Sequence, residues 1–67
     1  MNHIKEIRTN KKITQIKLAE AANIDLRYLQ RIENNLQIPN VYIGLALAIA
    51  LNTTVEVLFC FQGLQTL

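Results

Sequence analysis

The hydrophobic positions in the first half of the chain change phase once, and this change predicts two helices. Leu18 and Ala22 lie four residues apart, as one face of a helix requires, whereas Leu29 and Ile32 lie three apart on a second helical face. The phase slips at Asn23, and Asn tolerates the left-handed backbone conformation in which helices often end. We therefore expect two short helices that are joined by a tight turn at this residue.

Both helices begin after a residue that can cap them. Thr14 and Asp25 each have a side-chain oxygen that can accept hydrogen bonds from the free N–H groups at a helix start. Ala19 is small enough for the second helix to cross the first closely, since a larger side chain would hold the two apart. These features predict a helix-turn-helix over about residues 14–34.

A short helix is expected before this pair. Ile4 and Ile7 lie three residues apart and predict a helix from Asn2 to about Asn10 that turns its apolar face inward. Ile13 follows a basic connector and is expected to enter the core.

Two more helices are expected after a polar loop. A fourth helix over about residues 41–51 would be capped by Asn40 and ended by Asn52. Thr53 and Glu56 have the spacing of a capping box for a short fifth helix.

The fourth helix is apolar on nearly all sides and must therefore be covered on nearly all sides. Its inward face is predicted to consist of Leu45, Leu47, Ala48 and Leu51. A second apolar stripe is most easily covered by another subunit in so small a domain. We therefore predict a homodimer through the segment 41–67, with the interface residues Tyr42, Ala46, Ile49, Phe59 and Phe61.

Several short motifs follow one another along the chain: Ile13-Thr14-Gln15, Leu18-Ala19, Tyr28, Arg31-Ile32-Glu33, Pro39, Leu47-Ala48 and Leu58-Phe59. Together they resemble the helix-turn-helix domain of the phage lambda-repressor and Cro-like (XRE) family of DNA-binding regulators. The resemblance covers roughly residues 4–59 and implies a compact, all-α, five-helix domain. The sequence departs from the family at Asn23, Asn35 and Asn52, where the family usually has Gly, and at Lys17, where it is usually acidic.

The resemblance implies that the second helix of the pair binds DNA. By this resemblance Leu26, Arg27 and Arg31 face base edges, where Arg suits the two acceptors of guanine and Leu suits a thymine methyl group. Composition alone would equally allow ordinary surface charges here. The candidate phosphate contacts are Gln15, Lys17, Tyr28, Asn34 and Asn40.

Two basic residues have alternative interpretations. The resemblance implies that Arg8 pairs with Glu33 and ties the first helix to the recognition helix, whereas the pattern alone indicates a solvated Arg. Lys17 opposes the dipole at the start of its helix, so it is either a solvated residue or one that meets a phosphate.

Composition and charge fit this interpretation. The chain has 67 residues, 51% of them hydrophobic, and a formal net charge of +2, which predicts one small globular domain. All Lys and Arg residues precede residue 34. The distribution therefore predicts one basic face and one apolar face.

Other chemistry has little support in the sequence. The single cysteine, Cys60, excludes an internal disulfide, and His3 has no second ligand at metal-binding spacing. No catalytic constellation, Gly-rich phosphate loop or span-length apolar stretch occurs. We expect a cytoplasmic protein that is not an enzyme and has no metal, cofactor, membrane or small-molecule partner.

The sequence favours a transcriptional regulator that binds double-stranded DNA as a homodimer at a palindromic operator. The alternative is a protein-interaction module that retains the helix-turn-helix fold, as the apolar second half would allow. A steep salt dependence of duplex binding would separate the two, because a protein-binding module would lack it.

Overall fold

The computed structural model describes residues 2–59, and this part of the chain is all-α, with no strand. The predicted fold class is confirmed. Five helices follow one another along it: α1 (Ile4–Asn10), α2 (Gln15–Ala22), α3 (Leu26–Glu33), α4 (Val41–Ala50) and α5 (Val55–Phe59).

The core contains aliphatic side chains from every helix. One residue from each of α1 to α5, no more than 1% exposed, shows this: Ile4, Leu18, Leu29, Leu47 and Leu58. The two apolar faces predicted around the turn are both buried, so this prediction is confirmed. Since the helices are short, burial of these faces rather than helix propensity holds each of them in place.

Left-handed residues follow four of the helices. Asn23, Asn35 and Asn52 have φ values of 57°, 61° and 54°, at the three positions where the family usually has Gly. Asn adopts this conformation more readily than other residues with a Cβ atom, which explains why it can replace Gly there. Lys12, after α1, also has a left-handed φ of 60°, although Lys does not share the tolerance of Asn for this conformation.

Two predicted helix starts need correction. The first helix begins at Ile4 rather than Asn2, because Asn2 lies outside it and its Oδ1 accepts a hydrogen bond from the Ile4 N–H at 3.1 Å. The cap of α5 is Thr54 rather than Thr53, since the Thr54 Oγ1 accepts from the Val57 N–H at 3.3 Å. The Thr53 N–H instead donates to the carbonyl of Ala48 at 2.9 Å, within the turn that ends α4.

The buried face of α4 also differs from the prediction. Gly44, Leu47 and Ala48 are buried, but Leu45 is 47% exposed, so its predicted inward position is wrong. Each residue turns a helix by about 100°, which places position 45 beside position 41 and away from position 47. Ala46 is half-buried and packs against the core instead of lying open in the predicted stripe.

The exposed face of α4 therefore consists of Val41, Tyr42, Leu45 and Ile49. Tyr42 and Ile49 belong to the predicted interface, and Phe59 is half-buried at the end of α5. Phe61 lies outside the described residues.

Candidate nucleic-acid interface

The turn between α2 and α3 satisfies the carbonyl groups that α2 leaves free at its end. The Asn23 N–H donates to the Glu20 carbonyl at 3.1 Å, and the Ile24 N–H donates to the Ala19 carbonyl at 2.9 Å. The left-handed conformation of Asn23 makes both bonds available. Ala19 and Ala22 are buried, and their small side chains allow α3 to pack closely across α2.

Asp25 fixes the start of α3. Its Oδ1 accepts a hydrogen bond from the Arg27 N–H at 3.0 Å. Arg27 and Arg31 lie four residues apart on one side of the helix, and both are exposed. Leu26 is half-buried beside them. The three residues predicted to contact bases thus lie together along the first turns of α3.

An ion pair holds the other end of α3. The Arg8 Nε donates to the Glu33 Oε2 at 2.8 Å, and the Arg8 Nη2 donates to the Glu33 Oε1 at 3.2 Å. The two side chains are only 9% and 2% exposed. The Arg8 Nη1 also donates to the carbonyl of Ile13 at 2.9 Å. The pair that the resemblance implied is present, and it joins α1, the connector before α2 and α3.

Gln15 extends this pair toward the protein surface. Its Nε2 donates to the Glu33 Oε1 at 3.0 Å, and its Oε1 accepts from the Gln30 Nε2 at 3.4 Å. Gln15 was predicted only as a phosphate contact, and Gln30 was not predicted at all. The one available signal was that Gln30 precedes Glu33 by three residues, which places both on the same side of α3.

The four remaining predicted phosphate contacts lie in α2, in α3, directly after α3 and directly before α4. Lys17 is exposed in the first turn of α2, where its backbone N–H donates to the Thr14 Oγ1 at 3.1 Å. Asn34 is exposed directly after α3, and Tyr28 is half-buried against the core. Asn40 is exposed and caps α4, since its Oδ1 accepts from the Ile43 N–H at 2.9 Å. Their contact with phosphate stays a prediction.

The described part of the chain contains neither a metal site nor a membrane-spanning helix. Between residues 2 and 59 no group of three or more His, Cys, Asp or Glu side chains is arranged to hold a metal ion. The His3 Nδ1 lies 3.3 Å from the Glu6 Oε1. Among the residues described, none of the helices has the length and apolar character needed to cross a membrane.

The comparison with known families agrees with this geometry. A family model described as "Helix-turn-helix" matches residues 4–58, which is most of the chain. The chain belongs to the lambda-repressor and Cro-like (XRE) helix-turn-helix family. This is a family of DNA-binding regulators and not typically of enzymes. The search of curated proteins found no match.

Proposed function

We propose that this helix-turn-helix protein is a transcriptional regulator that binds a palindromic operator in double-stranded DNA as a homodimer. The observation that supports this most is the presentation of α3. Asp25 caps its start and the Arg8–Glu33 pair holds its end, while Arg27 and Arg31 remain exposed between these two points. A helix fixed in this way can enter the major groove without losing side-chain contacts to the core.

Base recognition is assigned to the exposed side of α3. Arg27 and Arg31 offer paired N–H donors, which match the O6 and N7 acceptors of guanine. Leu26 offers an apolar surface for a thymine methyl group. Because the two Arg residues lie one helical turn apart, they would contact neighbouring positions along the groove.

Phosphate contacts are assigned to the residues around the recognition helix. Lys17, Asn34 and Asn40 are exposed, and Tyr28 is half-buried in α3. The Gln15 amide nitrogen has two hydrogens, one of which is donated to Glu33. The other hydrogen is available to a phosphate oxygen, so Gln15 would connect the DNA backbone to the Arg8–Glu33 pair. Such contacts set orientation and register rather than sequence preference.

Dimerisation is assigned to the exposed apolar face of α4. Tyr42 is 86% exposed and Ile49 is 77% exposed, and Leu45 lies between them. Contiguous apolar surface of this kind usually marks an interface. Two copies related by a two-fold axis would present their recognition helices to half-sites about 34–36 Å apart.

A selection experiment tests the proposal. Duplexes retained by the protein from a random library should converge on one sequence with two inverted half-sites about one helical turn apart. The affinity for that sequence should fall steeply as salt rises, because each neutralised phosphate releases counterions. Selected sites without inverted symmetry would contradict the palindromic operator. If the retained duplexes were as random in sequence as the starting library, sequence-specific binding would be contradicted.

A protein-interaction module is the second candidate, and the exposed apolar face of α4 is the observation that favours it. In that case the face would bind a different protein, and Arg27 and Arg31 would be ordinary surface charges. Duplex binding would then be weak and equal for all sequences.

A further inference from the structure

Gln30 has a half-buried amide on α3 and is neither a proposed base contact nor a proposed phosphate contact. Its Nε2 donates to the Oε1 of Gln15, at the start of α2, at 3.4 Å. Within residues 2–59 this is the one hydrogen bond of the Gln30 side chain. A bond of this length is weak and adds little to stability. Its consequence lies instead in the orientation of Gln15.

The amide of Gln15 is held from two sides. Its Nε2 donates to the Glu33 Oε1 at 3.0 Å, while its Oε1 accepts the bond from Gln30. Glu33 also accepts from Arg8 through both carboxylate oxygens. Every donor in this row of side chains therefore points toward the Glu33 carboxylate, either directly or through Gln15.

The carboxylate of Glu33 determines which way round the Gln15 amide lies. A carboxylate has only acceptors, so it attracts the Nε2 of Gln15 and repels the Oε1. The Oε1 then lies on the other side, where the Gln30 N–H donates to it. If Gln15 inverted its amide, its oxygen would face the carboxylate, and its NH2 group would face that of Gln30. Glu33 and Gln30 together thus disfavour the inverted orientation.

This orientation determines what Gln15 offers to a ligand. Its Nε2 has two hydrogens, and Glu33 accepts one of them. A phosphate oxygen accepts hydrogen bonds, so it can bind Gln15 only where the second hydrogen points. Arg8 and Glu33 are buried, whereas Gln15 and Gln30 are half-buried. The row of hydrogen bonds therefore reaches the protein surface at the two amides.

An amide that is already held in place costs less to bind. A glutamine side chain is flexible, and immobilising it on binding reduces the affinity. Both ends of the Gln15 amide are engaged before any ligand arrives. Glu33 provides one of these contacts, but it also stabilises the fold through Arg8. Gln30 provides the other contact and has no second partner in residues 2–59, so its effect on Gln15 can be measured alone.

We propose that Gln30 is a positioning residue that orients the Gln15 amide for its contact with a DNA phosphate. Gln30 acts through Gln15 and contacts no base. Base recognition remains with Arg27 and Arg31, its neighbours on α3. The inference rests on the proposed function, because it concerns the phosphate contact that is assigned to Gln15 there.

The orientation can be tested in the free protein. Nuclear magnetic relaxation of the Gln15 side-chain NH2 group measures how far its fast motion is restricted. We expect restricted motion in the unsubstituted protein and a clear loss of order in Gln30→Met, which keeps the length of the side chain but removes its donor. Gln37→Met is the matched control, since Gln37 is also half-buried and shares no hydrogen bond with Gln15. Equal order of Gln15 in the two variants would overturn the proposal.

Duplex titrations test the consequence for binding. Gln30→Met should lower the affinity by about two- to ten-fold, which is the cost of immobilising one flexible side chain. The loss should be equal for the preferred and a scrambled duplex, since phosphate contacts carry no sequence information. In a Gln15→Ala background the same substitution should have no effect, because the amide that it orients is absent. Gln37→Met should have the same effect in both backgrounds.

The titrations separate this proposal from its alternatives. A loss from Gln30→Met that persists in the Gln15→Ala background would overturn it, since Gln30 would then act directly or through the fold. A loss confined to the preferred duplex would overturn it as well, because Gln30 would then contact a base. A protein that binds no duplex would remove the proposed function and with it the phosphate contact. Duplex binding without coupling between positions 15 and 30 would remove the role of Gln30 alone.

Discussion

The guanidinium group of Arg8 donates two hydrogen bonds to the carboxylate of Glu33, from Nε at 2.8 Å and from Nη2 at 3.2 Å. Both side chains are almost fully buried, and the Glu33 Oε1 also accepts from Gln15. The ion pair thus positions α3 from the side of the helix that faces away from the exposed Arg27 and Arg31. A change at this pair should first affect the stability of the fold.

Loss of either partner should leave a buried charge without its counter-charge. We expect Arg8→Ala to lower the free energy of unfolding by about 3–5 kcal/mol, as is usual when one partner of a buried pair is removed. A double-mutant cycle with Glu33→Gln, measured by thermal unfolding, should give a coupling energy above the roughly 0.2–1 kcal/mol of exposed pairs. Glu20→Gln on the exposed side of α2 is the control and should have little effect. A coupling energy near zero would mean that the pair does not hold α3.

Lys12 should be a position where glycine stabilises the protein. Its φ of 60° is unfavourable for a residue with a Cβ atom and costs about 1–2 kcal/mol. Lys12→Gly removes that cost but makes the unfolded chain more flexible, so we expect a net gain of up to about 1 kcal/mol in urea unfolding. Lys11 has a φ of −89°, and Lys11→Gly should therefore destabilise the protein. Equal losses in both variants would show that the Lys12 backbone is not strained.

Gly44 offers a second stabilising substitution. It lies inside α4, where glycine is less favourable than alanine by about 0.5–1 kcal/mol. A Cβ atom at this position would lie 3.6 Å from the Cε2 of Phe59, which is an ordinary van der Waals contact. Gly44→Ala should therefore raise the free energy of unfolding by about 0.5–1 kcal/mol. Ala46→Gly, two residues away, should lower it. A destabilised Gly44→Ala protein would indicate that the space beside Phe59 is already filled.

Sequence patterns predicted the fold well wherever apolar and polar residues alternate. Leu18 and Leu29 were placed correctly because their neighbours at helical spacing contrast with the polar residues between them. Leu45 was misplaced because α4 is apolar on nearly all sides, so the pattern has no contrast that identifies its inner face. The left-handed Lys12 could not be foreseen either, since its conformation follows from the packing of α1 and the connector rather than from a preference of lysine.

In the candidate site, too, local features could be predicted from the sequence, whereas contacts between helices could not. Asp25 as the cap follows from local sequence rules, whereas the placement of Arg27 and Arg31 on the base-facing side was implied only by the family resemblance. The hydrogen bond between Gln15 and Gln30 joins two helices, and the spacing of Gln30 and Glu33 within α3 does not reveal that α2 lies opposite them. Contacts of this kind depend on how α3 crosses α2, which only the packed structure defines.

Base recognition by Arg27 and Arg31 can be separated from general attraction to DNA. Each Arg→Ala variant should weaken binding to the preferred operator by about 1–3 kcal/mol and relax the preference at one base position. Lys17→Ala should weaken binding to all duplexes alike and reduce the slope of log affinity against log salt by about one unit. The comparison requires titrations of the preferred and a scrambled duplex at several salt concentrations. If the Arg variants lose the same factor on both duplexes, Arg27 and Arg31 contact phosphates instead of bases.

The dimer can be tested at an exposed residue of its proposed interface. Ile49 is exposed, so Ile49→Glu should leave the core and the helical circular dichroism intact while it places a charge between the subunits. Sedimentation equilibrium should then show monomers where the unsubstituted protein forms dimers. Operator affinity should fall steeply because two half-sites are no longer bound as one unit, whereas affinity for an isolated half-site should change little. Ile16 on α2 is also exposed, so Ile16→Glu is the matched control and should remain dimeric. An unsubstituted protein that is monomeric at tens of micromolar, roughly a free energy of association weaker than 7 kcal/mol, would rule out this face as the interface.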